Sequence, residues 1–255
     1  MKNQLTFLSQ VGIEKVKSRP TDDCPFCNRS GLTGIIAEDG PILLVENKYA
    51  TIRDTYQTVL IETDCCDVGI LEYSLDHVIR LLRFGLKHWE RMKQSGDFQS
   101  VLFFKNHGPL SGGSVAHAHM QLVGLKHVDY RNEIPMDTFT GETIIQDGSV
   151  HFSLSTSPLA SFSEFNLIIG DTKELEKVAI HLKNAVDYIL NKMNCRSYNL
   201  FFYDMEGKIY LKVVPRYPAS PYTIGYHLKQ VNDNIGDKAR EIAQEYYLNM
   251  GYGGR

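Results

Sequence analysis

Apolar positions along the chain switch repeatedly between strand and helix spacing. After a polar, turn-rich stretch over residues 1–30, short apolar runs at Gly34–Ala37, Ile42–Glu46, Ala50–Arg53 and Thr58–Glu62 read as strands, separated by Gly, Pro, Asn and Asp. From Asp76 to Lys93 the spacing becomes helical: Val78, Leu82, Leu86 and Trp89 recur on one face, with Leu81 alongside. Ser74 is placed to cap that helix, and Asp76 suits its positive end. Gly85 works against it, because glycine weakens a helix interior. Val101–Lys105 and Ala116–Leu125 return to the strand pattern.

Residues 128–148 are polar and predict irregular chain, after which the same order begins again. Val150–Ser155 and Phe165–Ile169 read as strands, Lys173–Met193 as a helix, and Tyr198–Tyr203 and Ile209–Val214 as strands. A last helix is expected over Asp237–Leu248, followed by a frayed tail, Gly251–Arg255. Strands–helix–strands thus occurs twice without evident identity between the copies. The pattern predicts an α+β fold, and the division expected is residues 1–127 and 128–255.

Composition narrows the class without naming it. The 255 residues can bury a substantial core, and 43% hydrophobic with 22% charged residues is ordinary for a globular protein. A net charge of -3 leaves no footprint for nucleic acid or an anionic membrane, so any phosphate site is local. No apolar run approaches the roughly 20 residues of a membrane span, and Met1 to Gly12 does not read as a signal peptide. Five cysteines, an odd number, argue against a secreted disulfide framework and for metal ligation or free thiols in a reducing, cytoplasmic setting.

Two constellations carry candidate chemistry. In Ala116–Leu125, His117, His119 and Gln121 are two apart and share one strand face, with Ala118, Met120 and Leu122 toward the core. Alone, that is also what a half-exposed strand with incidental histidines looks like. Upstream lies Asn106-His107-Gly108-Pro109-Leu110-Ser111-Gly112-Gly113-Ser114, whose glycines and serines let backbone N–H groups approach an anion. A phosphate cradle leading into a strand with a neutral imidazole suits nucleophilic catalysis and double displacement.

Cys24-Pro25-Phe26-Cys27 has the spacing of half a zinc site. Cys-Pro-x-Cys also occurs in redox proteins, where it follows a strand and opens a helix; here it reads as a loop knuckle. Cys65 and Cys66 are adjacent and sit poorly for a shared tetrahedron, which turns the search for further ligands to histidines. Cys195 reads as a buried or idle thiol.

Taken together, Cys24-Pro-Phe-Cys27, Ser74-Leu75-Asp76-His77 and Asn106-His-Gly-Pro-Leu-Ser-Gly112-Gly113-Ser114-Val-Ala-His117-Ala-His119-Met-Gln121 resemble the galactose-1-phosphate uridylyltransferase-like branch of the histidine-triad superfamily in order and spacing. The resemblance implies a histidine-triad-like fold of two related halves, antiparallel sheets flanked by helices, with a catalytic first half and a degenerate second. It implies zinc held by Cys24, Cys27, His77 and His117, and His119 as the nucleophile on an α-phosphate. Asn106, Gly112, Gly113, Ser114 and Gln121 would hold the phosphates, with Ser114 and Gln121 as principal donors. Substrates would be a nucleotide or nucleotide-sugar, and homodimerisation is implied by the same analogy.

Gln121 replaces the third histidine of histidine-triad hydrolases. It does not titrate, so it favours transfer over hydrolysis. Leu211-Lys212-Val213-Val214-Pro215-Arg216-Tyr217-Pro218 departs from the family's His-x-Tyr-Pro-Pro, which argues against a second metal there. His227 follows Gly225-Tyr226 where the family has a hexose-contacting Glu, so the acceptor is left open. Base selectivity is expected from residues 33–53. A nucleotidyltransferase leads, and a nucleotidyl hydrolase or a non-catalytic, zinc-containing nucleotide-binding protein stand as alternatives.

Overall fold

The structure, a computed structural model, describes residues 4–17 and 24–248; the expected tail Gly251–Arg255 lies outside them. The chain divides into two compact units, Met1–Lys105 with Ser114–Glu133, and Asn106–Gly113 with Ile134–Arg255. The change of compact unit falls after Glu133, and the Gly-rich segment belongs with the second unit.

The first unit contains a short helix α1 (Ser9–Lys17), strands β1 (Ile35–Asp39), β2 (Ile42–Glu46) and β3 (Thr55–Ile61), helix α2 (Leu75–Gln94), and strands β4 (Ser100–His107) and β5 (His119–Leu125). Its strands run antiparallel in the order β1-β2-β3-β5-β4. The Ser74 hydroxyl caps α2 by accepting from the His77 N–H at 3.2 Å. α2 buries Val78, Leu81, Leu82, Leu86 and Trp89, and the Trp89 indole donates to the Val101 carbonyl of β4 at 2.8 Å. Gly85 has a packing reason: a Cβ there would lie 2.6 Å from Phe103 Cζ, so glycine lets the helix rest against β4.

In the second unit lie β6 (Gly141–Asp147), β7 (Val150–Ser155), β8 (Phe165–Ile169), α3 (Leu175–Asp187), β9 (Tyr198–Met205), β10 (Lys208–Pro215), the short α4 (Pro221–Tyr226) and α5 (Ile235–Ala243). α3 and α5 each end in a π turn, Tyr188–Lys192 and Gln244–Leu248. The strands are antiparallel in the order β6-β7-β8-β10-β9. Each unit is thus three strands, a helix and two strands, with its fifth strand inserted beside the third. The α+β class and the doubled architecture are as the pattern predicted. One connection differs. β4 reaches β5 through the long Gly-rich stretch, whereas β9 reaches β10 through Glu206-Gly207, both left-handed at φ 51 and 73. That tight hairpin leaves no room for a cradle between β9 and β10.

Three local expectations fail. Ala50–Arg53 forms no strand and contributes one bridge, Ile52 to Phe7. β6 lies inside the stretch expected to be irregular; it buries only Ile144, and pairing with β7 defines it. α1 lies inside the turn-rich start and buries none of its residues, so it left no core-facing stripe to read. α4 falls in a stretch that the pattern left unassigned, and it too is unburied.

Among the described residues, each unit holds one fully buried ion pair. Lys105 pairs with Glu62 in the first, and Tyr73 donates its hydroxyl to the same carboxylate at 3.2 Å. In the second, Lys212 donates to Glu164 at 2.9 Å, Asn166 Oδ1 at 2.8 Å and the Thr138 carbonyl at 2.9 Å. Both ammonium groups are fully enclosed, and enclosure at this depth is tolerable because each charge is matched.

Candidate functional site

β3 and β5 pair with Ile61 opposite His119 and Val59 opposite Gln121. Alternation then puts His119 and Gln121 on the face bearing Val59, Ile61, Leu43 and Val45, an apolar cluster on which Phe26 and Leu32 pack. Ala118, Met120 and Leu122 are buried. The histidine-bearing face is not open as an isolated strand would be: His117 and His119 are only 1% and 7% exposed. The cysteine knuckle covers them, with the Phe26 ring edge-on to His117 at 5.8 Å and to His119 at 5.3 Å.

The tautomer of His119 follows from its partner. Its Nδ1 lies 2.8 Å from the His117 carbonyl, which only accepts, so Nδ1 carries the proton and Nε2 the lone pair. Burial pushes this imidazole below the ordinary histidine range, opposed by the bond to the His117 carbonyl.

His117 is fixed differently. Its Nε2 donates to the Thr63 carbonyl at 2.9 Å, leaving Nδ1 as the electron-pair donor, 3.4 Å from Cys24 Sγ and 3.5 Å from Cys27 Sγ. Cys66 completes the group: the ligand atoms of Cys24, Cys27, Cys66 and His117 all lie within 4.8 Å of one another. This cluster could hold a metal ion. Tetrahedral zinc with thiolate and imidazole ligands has S···N edges of roughly 3.5 Å, which the observed separations match. The second His117 nitrogen on a backbone carbonyl is the usual outer support of a metal-bound imidazole.

His77, expected as the fourth ligand, is not in this group. Its Nε2 is 2.9 Å from the Glu62 carbonyl and its ring packs edge-on to Tyr73 at 4.7 Å. Cys66 takes the place because Cys65 and Cys66 diverge. Cys65 is exposed, with its thiol toward Asp64 at 3.6 Å, while Cys66 turns toward the knuckle. Adjacency rules out two ligands from the pair, not one.

The Gly-rich segment is shaped within the second unit by Arg196–Asn199. Gly108 is left-handed at φ 79, and a Cβ there would meet the Arg196 carbonyl oxygen at 2.2 Å, so glycine is required on both counts. The Leu110 N–H donates to Ser197 Oγ at 3.1 Å, and His107 stacks on Tyr198 at 4.6 Å. Asn199 Nδ2 donates to Asn106 Oδ1 at 2.7 Å and to the Ser111 carbonyl at 3.0 Å. Gly112, at φ 86, has nothing within 4 Å of where a Cβ would sit, and it and Ser114 are exposed while Gly113 is half-buried. His227 caps α4 in the left-handed region at φ 55.

Comparison with curated proteins found no match. Residues 7–128 match the N-terminal domain, and residues 131–247 the C-terminal domain, of a family described as a domain of unknown function, DUF4931. A solved DUF4931 family protein from Bacillus cereus is 42% identical over 82% of this chain and 98% of its own, with a TM-score of 0.75. The chain belongs to the DUF4931 family. More distant likenesses show the fold. A uridylyltransferase structure is 15% identical with a TM-score of 0.70, covering 91% of this chain and 94% of its own. An ADP-glucose phosphorylase from Arabidopsis thaliana, with ADP-glucose bound, is 18% identical with a TM-score of 0.68, covering 91% and 93%. The uridylyltransferase-like, histidine-triad fold expected from the motifs is the fold of this DUF4931 protein.

The motifs missed three contributors: Cys66, Phe26 and the Arg196–Asn199 support. Phe26 was legible only as the variable position of a knuckle, and Asn199 lies on a strand far from any motif.

Proposed function

We propose that this DUF4931 protein is a nucleotidyltransferase working through a nucleotidyl-histidine intermediate. The observation that carries the reading is His119, whose Nδ1 is committed to the His117 carbonyl so that Nε2 holds the lone pair. In the first step Nε2 bonds to the α-phosphorus of a nucleotide-sugar or dinucleotide, and the bond from that phosphorus to its bridging oxygen breaks, releasing the distal phosphate-bearing fragment. In the second, an oxygen of a phosphate-bearing acceptor attacks the same phosphorus and the P–N bond breaks, returning the electron pair to Nε2. Ser114 and Gln121 are assigned to the phosphate oxygens, with Asn106, Gly112 and Gly113 supplying the loop, so that neutral donors stabilise the developing charge.

Cys24, Cys27, Cys66 and His117 are assigned to one structural zinc. Bound there, it would brace the start of β5, and it takes no part in the phosphoryl steps. The base would rest on the apolar face carrying Leu43 and Val45, beside Phe26 and Leu32.

The test is a mass measurement. Protein is incubated separately with UDP-glucose, ADP-glucose, ATP and diadenosine tetraphosphate, quenched at alkaline pH, and weighed intact. An adduct of one nucleoside monophosphate, absent in His119→Asn, is expected with the true donor. No adduct and no turnover with any of them would replace this reading with a nucleotide-binding protein. Gln121→His should shorten the adduct's lifetime in water if Gln121 favours transfer.

A further inference from the structure

The first unit holds a cavity of about 720 Å³ that the proposed chemistry does not use. Leu44, Tyr56 and Thr58 line it, and these alternate with Val45, Gln57 and Val59. The cavity therefore opens on the reverse face of the sheet from His119.

Its walls are of two kinds. One side is aromatic and apolar: Tyr56 and Phe98 lie parallel, 6.3 Å apart at 5°, with Leu44 and Met92 nearby. The Phe98 position is built into the sheet, since a Cβ on Gly124 would fall 2.6 Å from its ring. The other side is cationic. Arg91 and Lys126 line the cavity and are exposed, and among the described residues neither has a carboxylate within ion-pair distance. Asp97 is the carboxylate in the lining. Lys87, one helical turn before Arg91 on α2, adds to the positive field.

His88 decides what kind of site this is. It lines the cavity, is only 6% exposed, and neither ring nitrogen has a hydrogen-bond partner among the described residues; its one ring contact is with Phe84 at 4.5 Å. Neither nitrogen is among the enclosed, partnerless side-chain atoms of the described residues, so the polar edge of the ring opens to the cavity, where a ligand can bond it. Its burial, together with Arg91 and Lys87, holds it neutral by pushing its pKa down, so it offers one donor and one acceptor.

We propose that this cavity binds a small phosphorylated ligand carrying a planar ring, the chemical class of nucleoside monophosphates. The phosphate would meet Arg91 and Lys126, His88 would bond the ligand's polar edge, and the ring would lie against Tyr56 and Phe98. The site is separate from His119 and holds whether or not the proposed transfer chemistry does.

Calorimetric titration with AMP, adenosine and inorganic phosphate tests it, using wild-type protein, two pairs of substitutions and one single substitution. Arg91→Glu with Lys126→Glu alters only exposed side chains, and thermal unfolding checks that the fold is kept. This pair should weaken AMP binding at one site by about tenfold or more. Ser114→Ala with Gln121→Ala should leave that site intact, and His88→Phe should weaken it independently. AMP should bind more tightly than either adenosine or phosphate alone. The proposal is overturned if AMP binding to the Ser114→Ala, Gln121→Ala protein survives addition of the charge reversal, if it disappears with Ser114→Ala and Gln121→Ala alone, or if no AMP binds to any form.

Discussion

The His117 carbonyl accepts from His119 Nδ1 at 2.8 Å, while the His117 ring faces the three thiols. One residue thereby couples the metal-compatible cluster to the imidazole proposed to react. Its ring is held from outside the strand, and its backbone sets the tautomer two residues on.

Metal content should follow Cys66 and not His77. About one equivalent of zinc is expected in the purified protein by elemental analysis. Cys66→Ser should lower both zinc and thermal stability, whereas His77→Gln should leave zinc unchanged. Equal retention in both variants would remove Cys66 from the ligand set. Chelation should destabilise the wild-type protein, because a structural metal contributes to folding.

Asn199 should act through the phosphate loop. Asn199→Ala leaves Asn106 Oδ1 and the Ser111 carbonyl without this donor. Loss of two such bonds should lower kcat/KM by about tenfold, mainly through kcat. Adding Ser197→Ala should deepen the loss. A drop in melting temperature with unchanged kinetics would mark the contact as merely structural.

Gly85→Ala should destabilise the protein despite alanine's helix preference. The substitution gains about 1 kcal/mol of helix propensity. Against that, the new methyl meets Phe103 at 2.6 Å, and overpacking costs roughly 1–3 kcal/mol. Urea unfolding should show a net loss, recovered when Phe103→Leu is added. A stabilised single variant would show that β4 gives way.

His181 should make the second unit acid-sensitive. Burial lowers its pKa to about 4, with Asp147 opposing. Unfolded, it titrates near the ordinary value of about 6.5. Between these values the unfolded chain binds more protons, so stability is full above about pH 6.5 and falls as pH drops toward 4, by about 3 kcal/mol from this group. His181→Gln should flatten that slope in denaturant unfolding at pH 7 and 4.5. An unchanged slope would assign the acid sensitivity to carboxylates.

Strands β7 and β8 were legible to the residue because β7 alternates Val150, Phe152 and Leu154 with smaller polar residues and β8 is a short, mostly apolar run, both bounded by turns. The doubled strand–helix–strand order followed for the same reason. The knuckle, the Gly-rich segment and the histidine strand were legible because each is contiguous, and their chemistry depends on spacing that the covalent chain carries by itself. Tertiary structure decided whatever depends on distant segments meeting. Pairing with β7, not periodicity, made Gly141–Asp147 a strand. Cys66 rather than His77 joined the knuckle because the chain after β3 turns one of two neighbouring thiols inward, a choice that sequence adjacency leaves open. Asn199 reached Asn106 across 93 residues. Local propensity and spacing act over a few residues, whereas ligand sets and loop supports are fixed by packing, and only the folded chain brings those partners together.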